Sequence, residues 1–101
     1  MSVCMGLHRK GKDIVIGICD SELLGNVFSN GDLVLDLVKY SAFYGKEEDE
    51  EIIKKNLIGA TTINIVGEKA IEIAVKSGVI TKKDLKNTIE INGIKHLQVF
   101  R

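Results

Sequence analysis

The side chains best suited to chemistry are few: two cysteines, two histidines and a basic segment framed by glycines. Gly6-Leu-His-Arg-Lys-Gly11-Lys12-Asp13 matches the first seven positions of a phosphate-binding loop. The eighth should be Ser or Thr to hold magnesium, and here it is Asp13. Such a loop must also lead into a helix whose first amides cradle the phosphates. Ile14-Val15-Ile16 comes next and reads as strand, so the segment is expected to be a hairpin with a basic tip. A metal centre would have to draw on Cys4, Cys19, His8, His96 and Asp20. On an extended strand Cys4 and His8 stand about 13 Å apart, too far to share one ion. No metal and no cofactor are therefore expected.

Nucleophilic catalysis has little support. No Gly-x-Ser-x-Gly elbow occurs, and Cys19 lies in an apolar run that would raise its pKa and blunt it. The best polar cluster is His96 with Glu90 and Gln98, joined by Asn64; it has the composition of a general-base site. The plainer alternative is a structural histidine satisfied by Glu90, with Asn64 in a capping role. No residue is assigned as catalytic.

Fourteen basic residues balance fourteen acidic ones, which excludes a bulk polycation. The balance is uneven along the chain. Residues 47–72 hold seven acids against three bases, and residues 73–101 six bases against two acids. Arg9, Lys10 and Lys12 at the hairpin tip, with Lys95 and Arg101 near the end, are the candidate cations for a nucleic-acid backbone. Tyr40 or Tyr44 would add a stacking ring. The alternative is ordinary solvated lysines on separate faces.

These residues need elements to position them. The 101 residues, 45% of them hydrophobic, suffice for one domain, residues 1–101, with one core. No apolar run approaches the ~20 residues of a membrane span, and no secretory signal is visible at Met1-Ser-Val-Cys-Met. Cys4 and Cys19 are expected to be reduced and buried, and the chain cytoplasmic. Alternation in 3–8 and 14–19 predicts a hairpin turning at Lys10-Gly11, with Leu7 opposite Ile14 and His8 opposite Asp13. Gly6 and Gly17 thin its other face and would admit a neighbouring backbone. A third strand is expected over 33–38. A helix is expected to open at Glu47, with Ile53, Leu57 and Ala60 as its apolar stripe and Glu50–Lys54 and Glu51–Lys55 as supporting pairs. Residues 61–66 fit strand or helix; a helix starting between Thr62 and Gly67 and stopping at Gly78 is preferred. Thr81 and Asp84 suggest a capping box. Ile89-Glu-Ile91 and Asn92-Gly93 open a second hairpin. A two-residue loop would set Ile89 opposite His96; a three-residue loop, which sets Glu90 opposite His96, is preferred because it gathers Ile89, Ile91, Leu97 and Val99 on one face. The fold class is α+β: a largely antiparallel sheet made of the two terminal hairpins and a middle strand, packed by two main helices.

Four stretches carry a family resemblance: Cys19-Asp-Ser-Glu-Leu-Leu-Gly25, Phe43-Tyr-Gly45, Asn64-Ile-Val-Gly-Glu-Lys-Ala70 running on to Ser77-Gly-Val-Ile80, and Asn92-Gly-Ile-Lys-His-Leu-Gln98. In this order and spacing the chain resembles the short archaeal proteins grouped as domain of unknown function 424. The resemblance implies an archaeal, cytosolic domain and brings no activity and no site residue. The function expected from the residues is a small non-enzymatic binding module for RNA or a ribonucleoprotein. The alternatives are a small enzyme centred on His96 and Glu90, and a subunit docking on a protein partner through the acidic helix.

Overall fold

The computed structural model describes residues 2–101. Eight strands and four helices run in the order β1 (Val3–Lys10), β2 (Asp13–Asp20), β3 (Val27–Asn30), β4 (Leu33–Asp36), α1 (Ser41–Tyr44), β5 (Lys46–Glu48), α2 (Glu50–Leu57), β6 (Thr62–Val66), α3 (Glu68–Ser77), α4 (Lys82–Leu85), β7 (Ile89–Ile91) and β8 (Ile94–Phe100). Six strands form one sheet in the order β5-β1-β2-β6-β8-β7. Every pairing is antiparallel except β2 with β6. β3 and β4 form a separate two-stranded ribbon. The expected α+β class, with a largely antiparallel sheet, describes this single compact unit.

The strand that joins the two terminal hairpins is β6, over residues whose pattern favours a helix. Thr62-Ile-Asn-Ile-Val66 alternates half-buried polar with buried apolar side chains, but over too few residues to outweigh the helical stripe that Ile63 and Val66 also fit. The strand expected over 33–38 ends at Asp36 and pairs with β3 outside the sheet. The acidic helix starts later than Glu47: Lys46–Glu48 form the edge strand β5 against Val3–Met5, and α2 begins at Glu50. Its stripe is as expected, with Ile53, Leu57 and Ala60 buried. Lys54 pairs with Glu50 at 3.6 Å and with Glu51 at 2.7 Å, so Glu51 turns to Lys54 rather than to Lys55.

Both hairpins close on two residues. In the first, Gly11-Lys12 form the loop, Leu7 faces Ile16 and His8 faces Val15, a shift of two from the expected register. The shift keeps each side chain on its expected face, because alternation repeats every two residues. It also puts Cys4 directly opposite Cys19. In the second hairpin Asn92 (φ 51°) and Gly93 (φ 81°) both take left-handed conformations, the demand of a type I′ turn. Ile89 therefore faces His96 and Glu90 faces Lys95, in place of the three-residue loop.

α2 and α3 cover one face of the sheet over Ile16, Ile18, Ile63, Ile65, Leu97 and Val99. Each such side chain, fully buried, contributes roughly 1.5–3 kcal/mol. The ribbon and α1 cover part of the other face, packing Leu35, Leu37 and Tyr44 on Cys19, Val66 and Ile91.

Candidate functional site

The ribbon side of the sheet holds the residues with unspent chemistry. Along β1 and β2 this face carries Gly6 and Gly17 side by side. A Cβ on Gly6 would strike the Phe43 carbonyl, and one on Gly17 would lie 2.5 Å from the Phe43 ring. The two glycines make the trough into which α1 settles, the close approach their absent side chains suggested. His8, next along the same face, donates from Nε2 to the Phe43 carbonyl at 2.8 Å and stacks on the Phe43 ring at 4.9 Å and 8°. A carbonyl only accepts, so this bond sets the proton on Nε2.

Beside this contact a groove of about 590 Å³ opens between ribbon and sheet. One wall is Val34, Leu35 and Asp36 of β4 with Lys39 and Tyr40 of the adjoining turn. The other boundary is Phe43 and Tyr44 of α1 with Asn64 and His96 of the sheet. The register explains the last two. Asn64 lies between Gly17 and Gln98 on adjacent strands, and His96 sits opposite Val66, one diagonal step away on the same face. Asn64 and His96 are half-buried and Tyr40 is 54% exposed. Among the described residues, no side-chain hydrogen bond engages Asn64, His96 or the Tyr44 hydroxyl, and no side-chain polar atom is both buried and unpartnered. The groove therefore presents open donors and acceptors.

Its electrostatics are close to neutral. Burial pushes the His96 imidazole below its ordinary 6.5, so it is uncharged at pH 7. Burial, then the neighbouring Cys19, pushes the Tyr44 hydroxyl up to about 12, so it keeps its proton. Asp36 accepts the Val38 and Lys39 amides on Oδ1 at 3.1 and 2.8 Å. The Lys39 ammonium lies 5.5 Å over the Tyr40 ring.

The expected polar cluster is thus brought together in part. His96 and Asn64 share the groove, and Gln98 is exposed beside Asn64 on the same face. Glu90 does not join them. Its cross-strand partner is Lys95, and by alternation both project to the helix side. The Glu90–His96 pairing fails because the second hairpin has a two-residue loop.

The five candidate cations separate in the same way. Arg9, Lys10 and Lys12 are exposed at the first hairpin tip. Lys10 projects to the groove face, two residues beyond His8, and Arg9 to the helix face. Arg101 reaches the same end of the sheet, but its guanidinium donates to the carbonyls of Leu57, Ile58 and Ala60 at 3.0, 3.1 and 3.4 Å. These carbonyls lie at and just beyond the end of α2. Lys95 lies level with Asp20, about 23 Å along the strand from the tip, and pairs with Glu68 at 3.5 Å. One surface does not hold all five.

Asp20 caps α3, accepting the Lys69 and Ala70 amides at 3.3 and 2.8 Å. Gly67 (φ 101°) lies so close that a Cβ there would overlap the Asp20 carboxyl. Burial pushes that carboxyl up, while the two amides and Lys69 pull it down. Glu68, whose position suits those amides, turns to Lys95. Cys4 and Cys19 are both free and buried. They stand directly opposite each other, with Cys4 Sγ 3.3 Å from Ser21 Oγ and Cys19 Sγ donating to the Asp20 carbonyl at 3.3 Å. Burial first, then Asp20 and Cys4, pushes the Cys19 thiol up to about 12, leaving almost no thiolate to react. Sequence reasoning misses Asp36, Lys39 and Phe43 as site residues; nothing local marks them, because the ribbon brings them to Asn64 and His96 only in the folded chain.

Residues 8–101 match the family described as "Protein of unknown function (DUF424)". The chain belongs to that family. A solved structure from Methanopyrus kandleri, an uncharacterized conserved protein, is similar to this DUF424 chain with a TM-score of 0.80. It shares 23% identity and the match covers 99% of this chain and 91% of the other. That likeness is one of fold. Curated proteins yield no match to this DUF424 chain. No helix among the described residues is long and apolar enough to cross a membrane.

Proposed function

We propose that this DUF424 chain is a non-enzymatic binding module for single-stranded RNA, alone or within a ribonucleoprotein, in the archaeal cytosol. The observation that carries the proposal is the groove face itself. Exposed rings at Tyr40 and Phe100 flank half-buried Asn64 and His96, and Lys10 stands about 13 Å along the strand at the cationic tip. Stacking rings and open polar groups on a sheet face, with cations along one end, suit an unpaired strand rather than a duplex. Lys10 and Lys12 would meet phosphates; Arg9 projects to the helix face, and Lys95 and Arg101 are drawn off by Glu68 and by α2. An enzymatic reading loses its acid, since Glu90 projects away from His96.

Fluorescence anisotropy with a labelled single-stranded RNA tests this. Affinity should fall with salt, each phosphate contact adding about 0.7 to the slope of log affinity against log salt. The double variant Lys10→Glu, Lys12→Glu should weaken binding to all sequences and flatten that slope. No binding at low salt, to total RNA or to ribosomal particles, would overturn the proposal.

A further inference from the structure

We infer that the groove between ribbon and sheet takes one unpaired nucleobase and reads its hydrogen-bonding edge through Asn64 and His96. The inference rests on the RNA reading and names which part of the strand enters the site. Charge decides the class of occupant. The groove holds one carboxylate, Asp36, and one ammonium, Lys39, beside an uncharged imidazole and a protonated phenol. A phosphate would meet Asp36 without a surplus of cations to offset it. A flat, uncharged heterocycle meets no such penalty.

Shape and hydrogen bonding agree. The volume of about 590 Å³ lies within the ordinary range of small-ligand sites. Tyr40, 54% exposed at the rim, offers a ring for stacking. Asn64 supplies a donor and an acceptor side by side, the arrangement that pairs with a base edge. Neutral His96 adds one donor nitrogen and one acceptor nitrogen, a diagonal step away. No side-chain hydrogen bond engages Asn64 or His96 inside the protein among the described residues, so their donors and acceptors are open to a base. The phosphates stay outside, toward Lys10 and Lys12.

Two arms of one experiment separate this inference from the RNA reading and distinguish a base in a strand from a free nucleoside. In the first, a labelled single-stranded RNA is titrated with wild type, Tyr40→Ala, Tyr40→Phe, Asn64→Ala and the isosteric Asn64→Asp, with thermal midpoints to confirm folding. Tyr40→Ala and both Asn64 variants should weaken binding by about 5-fold or more, and Tyr40→Phe should retain it. The salt slope should stay at the wild-type value in all four, because no phosphate contact is lost. In the second arm, adenosine, guanosine, cytidine and uridine are titrated singly while the Asn64 side-chain amide and His96 ring signals are followed. One nucleoside should shift them at concentrations about 5-fold lower than the weakest.

RNA binding with no loss in the folded groove variants overturns the inference and leaves the RNA reading standing. Equal response to all four nucleosides overturns edge reading. Nucleoside shifts confined to Asn64 and His96, without any RNA binding, overturn the RNA reading and support the groove as a site for a free nucleoside. Silence in both arms overturns both.

Discussion

Along β2 and β6 the helix-covered face carries Ile16, Ile18, Ile63 and Ile65, all fully buried. The ribbon-covered face of the same two strands carries Gly17, Cys19, Asn64 and Val66. The first four fill the space between a sheet and two helices, and packing there depends on volume. On the second face packing depends on missing volume, because Phe43 brings its backbone and ring against Gly6 and Gly17. A face built to admit a neighbour closes where the neighbour sits and stays open where it does not. The groove at Asn64 and His96 is that remaining opening. The helix face has no counterpart of it above Ile63 and Ile65, so it can hold the fold but offers no concave polar surface there.

The contrast can be broken from either side. The largest effect should come from the helix face. Ile65→Ala leaves a cavity under α3 and should cost about 4 kcal/mol in denaturant unfolding, with little change in the groove. Gly6→Ala tests the other mode: it removes nothing, yet the added methyl meets the Phe43 carbonyl, and the loss should be about 3 kcal/mol. A Gly6→Ala protein as stable as wild type would mean that α1 does not rest in the trough. Removal of the long-range cap, Asp20→Ala, should cost about 1–2 kcal/mol and raise amide exchange at Lys69 and Ala70 first. Tyr40→Ala, at the rim of the groove, should stay within about 0.5 kcal/mol of wild type while it weakens ligand binding.

The smallest effect is a pH dependence. The folded protein holds His96 below its ordinary 6.5 by burial, so the unfolded chain takes up that proton first. Stability from this source is complete above pH 6.5. It declines as pH falls from 6.5 through the folded-state value. His96→Gln should remove that part of the acid limb in melts recorded across the window. An unchanged acid limb would place His96 in contact with solvent rather than within the wall.

The two hairpins, the Ile53–Leu57–Ala60 stripe, the Thr81–Asp84 cap and the paired glycines of the first hairpin arise from local rules that act over a few residues. In the first hairpin the alternation tells which side chains share a face, and it survives a two-residue shift in register because the pleat repeats every two residues; in the second a one-residue shift puts Ile89 and Ile91 on the face of His96, not of Leu97 and Val99. Residues 62–66 escape that logic. Thr62 and Asn64 alternate with Ile63 and Ile65 as in a strand, but the run is only five residues long and Ile63, Val66, Ala70 and Ala74 also fit a helical stripe, so the local pattern does not decide between the two. The site was legible only as a set of residue types. Asn64 and His96 were visible as polar residues, but their company depended on one loop residue in the second hairpin, which turned Glu90 to Lys95 and the helix side. Likewise Arg101 and Lys95 could be counted as positive charges, but not assigned to α2 carbonyls and to Glu68. Periodicity and the presence of each turn depend on neighbours in the chain and were legible there, but the exact loop of either hairpin was not. The tertiary structure alone decided the parallel joining of β2 to β6, the cap that Asp20 provides for α3 some fifty residues away, and the groove. Each of these is a contact between segments whose separation along the chain leaves no local pattern to read.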